Sequence, residues 1–467
     1  MTNRNHNMNL LSRRRIRLAE LAVTAGCLIF CGMFSWKYVI HPAVSDEADA
    51  LQHDIINSSI SSYRINGSVV DRTGETIYGS SSAGAASYAE YPLNYSYAYL
   101  LGYYTVDSGQ ENTYGLLGNL NRYLYYKLDD ESTGSTVKLT TENSLQNYCY
   151  QLLNGNEGSI TVIDNDSGAI LALASESGAG FNVNDLDTLF SSDAAGAQYR
   201  RGTYENDPPG STFKVVTAAA ALKKAKEENL GDDWWYYYDT GSYIPEGSGF
   251  SITNFNMEAW GDLDLESALN NSVNCYFANL GIQVGEDAMK EMASKFMIGK
   301  EIEIPFLDTL TSDFELNDGT PVEIAQASFG QGDTQITPVH IAMIAQAIAN
   351  NGVMMKPYIV QSITCGNILQ YTAFTGKLST CIDLDVDREL KSIMHSTAEG
   401  YGLTENTYGM VYAKTGTAEC AGGRVHTYLM GFTEDASFCI SMNNGDYSSN
   451  LYPIARNLVS FINSLYH

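Results

Sequence analysis

Asp207-Pro208-Pro209-Gly210-Ser211-Thr212-Phe213-Lys214 is the stretch that says most about this chain, and an apolar run, residues 215–220, follows it directly. The Pro-Pro-Gly segment predicts a rigid entry into a helix, with Ser211 near the positive end and Lys214 on the same face one turn later. Lysine can take a proton from a serine hydroxyl only if burial or a neighbouring cation leaves its amine neutral. The pattern indicates a serine nucleophile with a lysine base, although taken alone it also fits a helix cap followed by a solvated lysine.

Two further short motifs follow in order along the chain. Ser272-Val273-Asn274 comes next, and Lys414-Thr415-Gly416-Thr417 lies near the C-terminus. Each motif is weak by itself, since Ser-x-Asn occurs often by chance. Ser-x-x-Lys, Ser-x-Asn and Lys-Thr-Gly in this order are typical of serine enzymes that react with penicillin.

With these motifs in place, the chain resembles the penicillin-binding proteins, specifically the monofunctional class B transpeptidases. Gly330-Gln331-Gly332 leading to Thr337-Pro338 supports the resemblance, which runs from about Asn66 almost to the end. Residues 66–74 are similar to the family's Arg-Gly-x-Ile-x-Asp-Arg-x-Gly signature, with asparagine and valine in place of arginine and isoleucine. Residues 91–118 are similar to the short-pedestal subgroup called penicillin-binding protein A-like, with Gly-Leu-Leu where Gly-Leu-Glu is expected.

The resemblance implies catalytic roles for the first two motifs. Ser211 would attack the carbonyl of the penultimate D-Ala of a peptidoglycan stem peptide, and Lys214 would take its proton. Terminal D-Ala would leave, and an acceptor amine would resolve the acyl-enzyme and cross-link the wall. Ser272 would relay the proton toward the leaving amine, and Asn274 would hold both Lys214 and the substrate's peptide group.

The resemblance also assigns the third motif. Lys414 would place a positive charge near Lys214 and lower its pKa. Gly416 would let the substrate backbone approach an edge strand, to which it can add as a further strand. Thr415 and Thr417 would bind the terminal carboxylate, and the backbone N–H groups of Ser211 and Thr417 would stabilise the oxyanion.

The expected partners follow from the same resemblance. They are peptidoglycan stem peptides as donor and acceptor, β-lactams as covalent inhibitors, and a separate glycan polymerase, because no glycosyltransferase region is recognised. No metal or organic cofactor is required. Three alternatives remain: a D,D-carboxypeptidase or β-lactamase with the same serine, a β-lactam sensor, and a catalytically silent cell-wall scaffold.

The N-terminus predicts a membrane anchor. Arg13, Arg14, Arg15 and Arg17 precede an uncharged stretch, residues 21–36, which approaches the length a bilayer requires when its flanks are included. We expect a cytoplasmic tail (1–17), a single uncleaved span (18–40) and a catalytic part outside the bacterial cell membrane. A cleaved signal peptide or a lipoprotein signal at Cys27 fits less well, because the apolar run continues beyond Cys27.

The remaining chain predicts two domains: a membrane-proximal pedestal (41–155) and a transpeptidase domain (156–467). Strands come from both ends of the second domain and enclose a block of helices, which favours an α+β fold with an antiparallel sheet flanked by helices. The family's serine β-lactamase-like fold has that form. We predict strands at 158–164, 168–174, 411–414, 428–432 and 437–442, and helices at 211–222, 265–280, 338–349 and 451–465.

Composition excludes some classes. A net charge of −27 argues against nucleic acid as a partner. None of the eight cysteines shows metal-ligand spacing. Cys365 with Cys381, and Cys420 with Cys439, are two candidate disulfides that sequence alone leaves open.

Overall fold

The computed structural model describes residues 67–80, 86–88, 93–107, 110–124, 134–178, 181, 200–404, 409–420, 423–443 and 445–467. They belong to one unit that spans residues 64–467. The predicted tail (1–17) and membrane anchor (18–40) lie outside these ranges. No helix within the described ranges has the length and apolar character needed to cross a membrane.

Twenty-one strands are assigned in the described residues. In chain order they are β1 Ser68–Val70, β2 Thr76–Ser80, β3 Ala86–Tyr88, β4 Tyr103–Asp107, β5 Gln110–Tyr114, β6 Thr136–Leu139, β7 Gly158–Asp164, β8 Ile170–Glu176, β9 Tyr237–Asp239, β10 Ser242–Tyr243, β11 Ile252–Thr253, β12 Gly261–Leu263, β13 Asp313–Phe314, β14 Thr334–Gln335, β15 Val353–Met355, β16 Val360–Cys365, β17 Ile368–Thr372, β18 Lys377–Thr380, β19 Tyr412–Cys420, β20 Arg424–Phe432 and β21 Ala436–Met442.

Thirteen α-helices accompany them in the same ranges. They are α1 Leu93–Ser96, α2 Ala98–Leu101, α3 Gly115–Leu124, α4 Asn143–Leu153, α5 Arg201–Tyr204, α6 Lys214–Glu228, α7 Leu265–Asn270, α8 Asn274–Val284, α9 Glu286–Lys295, α10 Pro321–Ala327, α11 Pro338–Ala349, α12 Leu384–Gly400 and α13 Tyr452–Tyr466. A 3₁₀ turn, Gly210–Phe213, precedes α6.

Five strands form the sheet that carries the third motif, in the order β19-β20-β21-β7-β8. Every neighbouring pair is antiparallel. Helix α11 packs on one face, while α4 contacts β8 from the other side together with α13. The predicted α+β architecture, an antiparallel sheet flanked by helices, is confirmed.

Helix α11 shows how the sequence builds this core. Thr337 caps its N-terminus by accepting a hydrogen bond from the N–H of His340, and Pro338 occupies the first turn. All eleven residues from Pro338 to Ile348 are buried. A helix this apolar on every side belongs inside a domain, where each large side chain contributes about 1.5–3 kcal/mol.

A second sheet has six strands in the order β17-β16-β6-β1-β2-β3. Only β1 and β6 pair in parallel; the other neighbours are antiparallel. This sheet joins strands from 68–139 with strands from 360–372, and α4 packs against β8. Segments from both sides of residue 155 therefore share a sheet, and the boundary predicted there stays a prediction.

The cysteines of the described residues resolve the question of pairing. Within these residues none of Cys149, Cys275, Cys365, Cys381, Cys420 and Cys439 forms a disulfide, and all except Cys420 are buried. Neither candidate disulfide is present in this structure. Buried thiols of this kind pack as small apolar side chains.

Candidate active site

Ser211 lies on the 3₁₀ turn, and Lys214 is the first residue of α6. Gly210 opens the turn with φ of +54°, a conformation that glycine adopts without strain. Phe213 anchors the turn from below, because it is buried and stacks on Phe314 with ring centroids 5.2 Å apart. The turn holds Ser211, which is partly exposed, directly before the buried Lys214.

The serine turn packs directly against strand β19. A Cβ atom added at Gly416 would lie 2.5 Å from the carbonyl oxygen of Pro209 and 3.1 Å from the backbone nitrogen of Thr212. A Cβ atom at Gly210 would collide with the carbonyl oxygen of Thr417. The two glycines therefore allow two backbones to touch, which brings the first and third motifs together.

The second motif lies where a helix is interrupted. Residues 265–280, predicted as one helix, form two, because α7 ends at Asn270 and α8 begins at Asn274. Ser272 between them has φ of +55°, a left-handed conformation that costs a non-glycine residue about 1–2 kcal/mol. In a continuous helix the carbonyl of Ser272 would bond to the N–H four residues later. The break turns that carbonyl toward Lys214 instead.

Two lysines lie on either side of the Ser272 hydroxyl, and both are 0% exposed. Lys414 Nζ is 3.0 Å and Lys214 Nζ is 3.3 Å from Ser272 Oγ. Lys214 Nζ also donates to the carbonyl oxygen of Ser272 at 2.6 Å and to Asn274 Oδ1 at 2.8 Å. The structure thus brings the lysines of two motifs onto the serine of another.

Each lysine amine has three hydrogen-bond partners among the described residues, and the two sets differ in kind. Within the described residues, Lys414 Nζ has three acceptors, namely Ser272 Oγ, Tyr401 OH and the carbonyl oxygen of Thr415, which match the three donors of an ammonium group. Lys214 has two partners that can only accept, the carbonyl of Ser272 and Oδ1 of Asn274, and a third, Ser272 Oγ, whose hydroxyl can either accept from the amine or donate to it. The two partners that can only accept match the two N–H donors of a neutral amine. The lone pair of Lys214 is then left to accept a proton from a hydroxyl group.

Electrostatics favour the same assignment. Burial removes the water that would stabilise the charged form, and the positive charge of Lys414 adds to this, so the pKa of Lys214 is lowered well below 10.5. Cys275 acts weakly in the opposite direction. A neutral amine beside a serine is the arrangement that a lysine base requires.

Several supporting residues carry no sequence signal. Asn254 accepts a hydrogen bond from the N–H of Cys275 at 3.0 Å and donates to Asp239 Oδ2 at 2.7 Å. Asn274 donates through Nδ2 to the carbonyl of Thr253 at 3.1 Å. That bond fixes the side-chain amide so that Oδ1 faces Lys214. Asp239, Thr253 and Asn254 come from a loop and short strands outside the three motifs, so motif spacing does not reveal them.

Tyr401 is the clearest residue that the sequence did not reveal. Its hydroxyl lies 3.4 Å from Lys414 Nζ and 3.0 Å from Thr415 Oγ1, and its ring stacks on Tyr452 with centroids 4.6 Å apart. It sits at the end of α12, one among 32 tyrosines. The contact orients both Lys414 and Thr415.

Strand β19 has a strand neighbour on one side only among the described residues, as predicted for an edge strand. Thr417 is exposed on it, whereas Thr415 is buried and its hydroxyl faces Tyr401. The structure therefore brings Ser211, Lys214, Ser272, Asn274, Lys414 and residues 415–417 into one site. Their individual catalytic and binding roles stay predictions.

A partly exposed serine, a buried lysine with a lowered pKa and a sheet edge without a strand neighbour in the described residues define a serine acyl-transfer site. Residues 158–453 match the family described as the penicillin binding protein transpeptidase domain, so the chain belongs to that family. The prediction that the chain is a class B penicillin-binding protein is confirmed.

Named relatives agree with this family. The peptidoglycan D,D-transpeptidase PbpA of Mycolicibacterium smegmatis is 26% identical over 361 residues, 70% of this chain and 72% of that protein. The protein of the same name from Mycobacterium tuberculosis is 29% identical over 320 residues, 64% of this chain and 62% of that protein. The penicillin G acyl-enzyme complex of penicillin-binding protein A from M. tuberculosis has the same fold, with a TM-score of 0.75 at 21% identity over 86% of this chain and 100% of that chain.

Proposed function

We propose that this chain is a peptidoglycan D,D-transpeptidase that β-lactams inhibit covalently. The observation that carries the proposal is the environment of Lys214: full burial and a neighbouring cation lower its pKa, and two of its three hydrogen-bond partners can only accept. The relatives named D,D-transpeptidase support the substrate class.

The first half-reaction forms the acyl-enzyme. A peptide ending in D-Ala-D-Ala adds along the edge of β19 that has no strand neighbour in the described residues. Lys214 Nζ accepts the proton of the Ser211 hydroxyl while Ser211 Oγ bonds to the penultimate carbonyl carbon. The N–H groups of Ser211 and Thr417 face the developing oxyanion.

Collapse of the tetrahedral intermediate breaks the peptide bond to terminal D-Ala. The proton held on Lys214 passes through Ser272 Oγ, which lies 3.3 Å away, to the leaving amine. Thr417, which is exposed on β19, binds the terminal carboxylate, and the nearby positive charge of Lys414 favours that anion. A positively charged site in a chain of net charge −27 suits a substrate that ends in a carboxylate.

The second half-reaction distinguishes an amine acceptor from water. Within the described residues, no hydrogen-bond partner of Lys214 or Lys414 is a carboxylate. A hydrolase of this chemistry gains about 10²–10⁴-fold from a dedicated base for water. The surroundings of the lysines therefore favour aminolysis over hydrolysis.

Covalent labelling tests the proposal. Fluorescent penicillin should label the full-length chain once, at Ser211, and the Ser211→Ala variant should not be labelled although its melting temperature is nearly unchanged. A donor peptide ending in D-Ala-D-Ala plus a D-amino acid should give exchange product in excess of hydrolysed donor. Undiminished labelling of Ser211→Ala, or rapid hydrolysis of nitrocefin by the wild-type chain, would contradict the proposal.

The same proposal includes an anchored enzyme with a polymerase partner. The arginines at 13–15 and 17 and the uncharged residues 21–36 support a single uncleaved span (18–40) with the site outside the cell membrane. A separate glycan polymerase would supply the strand that this chain cross-links. An N-terminal sequence that begins at Cys27, or lipid on that cysteine, would instead indicate a lipoprotein.

A further inference from the structure

Three potential metal ligands meet at the end of the β19–β20 hairpin, beside the serine turn. One ligand atom from each of Asp207, Cys420 and His426 lies within 4.8 Å of the other two. None of the three belongs to the catalytic motifs. We propose that Asp207, Cys420 and His426 bind a zinc ion that ties the hairpin to the segment leading into Ser211.

Strand register explains why the cysteine and histidine share a face. His426 pairs with Ala418 across the antiparallel ladder, and Cys420 is two residues beyond Ala418 on the same strand. Side chains two residues apart on a strand point to the same side, so Cys420 and His426 are diagonal neighbours. Their direction is set by the sheet and not by a mobile loop.

Asp207 approaches the hairpin from a separate segment. Its carbonyl oxygen accepts a hydrogen bond from the N–H of Ile336 at 3.0 Å, which fixes its backbone. Three residues later Gly210 touches Thr417 on β19. The carboxylate therefore reaches the hairpin beside the point where the serine turn packs on the same strand.

His426 supplies an independent sign of a missing partner. It is only 1% exposed, and within the described residues neither ring nitrogen has a hydrogen-bond partner. Nδ1 lies 3.3 Å from Asp207 Oδ2, but the geometry is not that of a hydrogen bond. Nδ1 therefore has only an ion-pair contact with Asp207, and a buried imidazole whose ring nitrogens make no hydrogen bond costs stability unless another group binds it.

Neighbouring charge also favours a cation. Glu205 is 3% exposed, and its Oε2 has no hydrogen-bond partner among the described residues, while Oε1 pairs with Arg201 at 3.0 Å. Glu205 and Asp207 both interact electrostatically with His426, while Arg201 and Arg424 supply positive charge nearby. Asp207 and Cys420 are partly exposed, which leaves a path for an ion.

The ligand set selects the metal. Thiolate, imidazole and carboxylate together suit Zn²⁺, which binds them at about 2.0–2.3 Å in tetrahedral geometry. Tetrahedral ligands are then about 3–4 Å apart, so an inward movement of rotatable side chains by about 1 Å would close the site, with water as the fourth ligand. The ion would hold two backbones of the active site together without contacting substrate.

Metal content tests the inference independently of the transpeptidase activity. The untagged full-length chain, equilibrated with zinc and then desalted, should retain one zinc ion by elemental mass spectrometry. Cys420→Ala and His426→Gln should each lose it, whereas Cys149→Ala, a matched cysteine on α4, should keep it. Zinc should raise the melting temperature of the metal-free wild-type chain and leave that of Cys420→Ala unchanged.

Cobalt binding to the wild-type chain tests the same site without a variant, and so it remains informative if a variant fails to fold. Co²⁺ added to the metal-free wild-type chain should give a sulfur-to-cobalt charge-transfer absorption, because a thiolate is among the ligands. Absence of bound zinc, equal zinc in wild type and Cys420→Ala, or cobalt binding without that absorption would each overturn the inference. The three residues would then form only an ion pair beside a free thiol.

Discussion

Asp71 and Lys214 are both buried charged residues, but their surroundings differ in kind. The carboxylate of Asp71, at the turn between β1 and β2, accepts bonds from both the N–H and the hydroxyl of Thr73 and from the N–H groups of Glu75 and Asn143. Asn143 is the first residue of α4, so the carboxylate also faces the positive end of a helix. Every requirement of that charge is met by its neighbours.

Lys214 has the opposite environment. Its closest charged neighbour is another lysine, and no carboxylate is among its hydrogen-bond partners in the described residues. A buried cation in such a place is unstable unless it loses its proton. The comparison shows that a buried charge with enough hydrogen-bond partners, such as Asp71, stabilises the fold. A buried ionisable group without an opposite charge, such as Lys214, is a candidate catalytic residue.

The largest expected effect comes from removing the base itself. Lys214→Ala should slow penicillin acylation by about 10³-fold or more, because members of a nucleophile–base unit act together. The double variant with Ser272→Ala should be little slower than the single. Lys226→Ala, an exposed lysine of the same helix, is the control and should acylate at the wild-type rate. Stopped-flow acylation measures the rate constants of the wild type, the two single variants Lys214→Ala and Ser272→Ala, the double variant and the control. If the rate losses of the two single variants multiply in full in the double variant, the proposed proton relay is wrong.

The next effect concerns the contact between the serine turn and β19. Gly416→Ala should slow acylation by about 10–100-fold, because the new methyl group meets the carbonyl of Pro209 and must displace the strand. Gly231→Ala, where a Cβ atom meets nothing within 4 Å, should leave the rate unchanged. Equal rates for the two variants would mean that the close approach does not matter for acylation.

A smaller effect is expected at Tyr401. Tyr401→Phe removes the hydroxyl that contacts Lys414 and Thr415, and should lower the acylation rate constant by about 3–10-fold, the value of one hydrogen bond of about 1 kcal/mol. Tyr412→Phe, on β19 itself, removes a hydroxyl that contacts only the sulfur of Met410 among the described residues and serves as the control. A rate constant for Tyr401→Phe equal to the control would leave Tyr401 with a packing role.

Asp71 should show the reverse behaviour, with no effect on acylation and a large one on stability. Asp71→Ala leaves several N–H donors without an acceptor, so the free energy of unfolding should fall by about 2–4 kcal/mol. Urea unfolding measures this, with the exposed Asp166→Ala as the control. If the folded Asp71→Ala protein also acylates more slowly than the wild type, Asp71 affects catalysis as well as stability, and the proposed difference between Asp71 and Lys214 is wrong.

Local patterns were enough to predict much of the fold and the main site residues. Helix α11 begins and ends as predicted because Thr337-Pro338 caps an apolar run. Strand β19 lies at the sheet edge as predicted, although it continues to Cys420, beyond the third motif at 414–417. Both features depend on residues that are close together in the sequence, so the sequence of one chain is enough to predict them.

What escaped prediction depends on residues that are distant in sequence. The break at Ser272 is stabilised by Lys214 and Lys414, so nothing within 265–280 announces it. Tyr401 reaches Lys414 only because α12 packs on β19. The cluster of Asp207, Cys420 and His426 needs two segments separated by most of the domain, which explains why no metal-ligand spacing was visible.

The pH dependence of acylation tests the central claim, a neutral Lys214 beside a charged Lys414, most directly. The wild-type rate constant should rise with pH as Lys214 loses its proton and reach a plateau well below pH 10.5, because burial and Lys414 lower that pKa. Lys414→Met removes a positive charge next to Lys214. Loss of that charge stabilises the protonated form of Lys214, so the midpoint of the pH profile should move upward toward 10.5, while the rate constant at the plateau falls. A wild-type rate that still rises near pH 10.5, or a midpoint unmoved by Lys414→Met, would contradict the account.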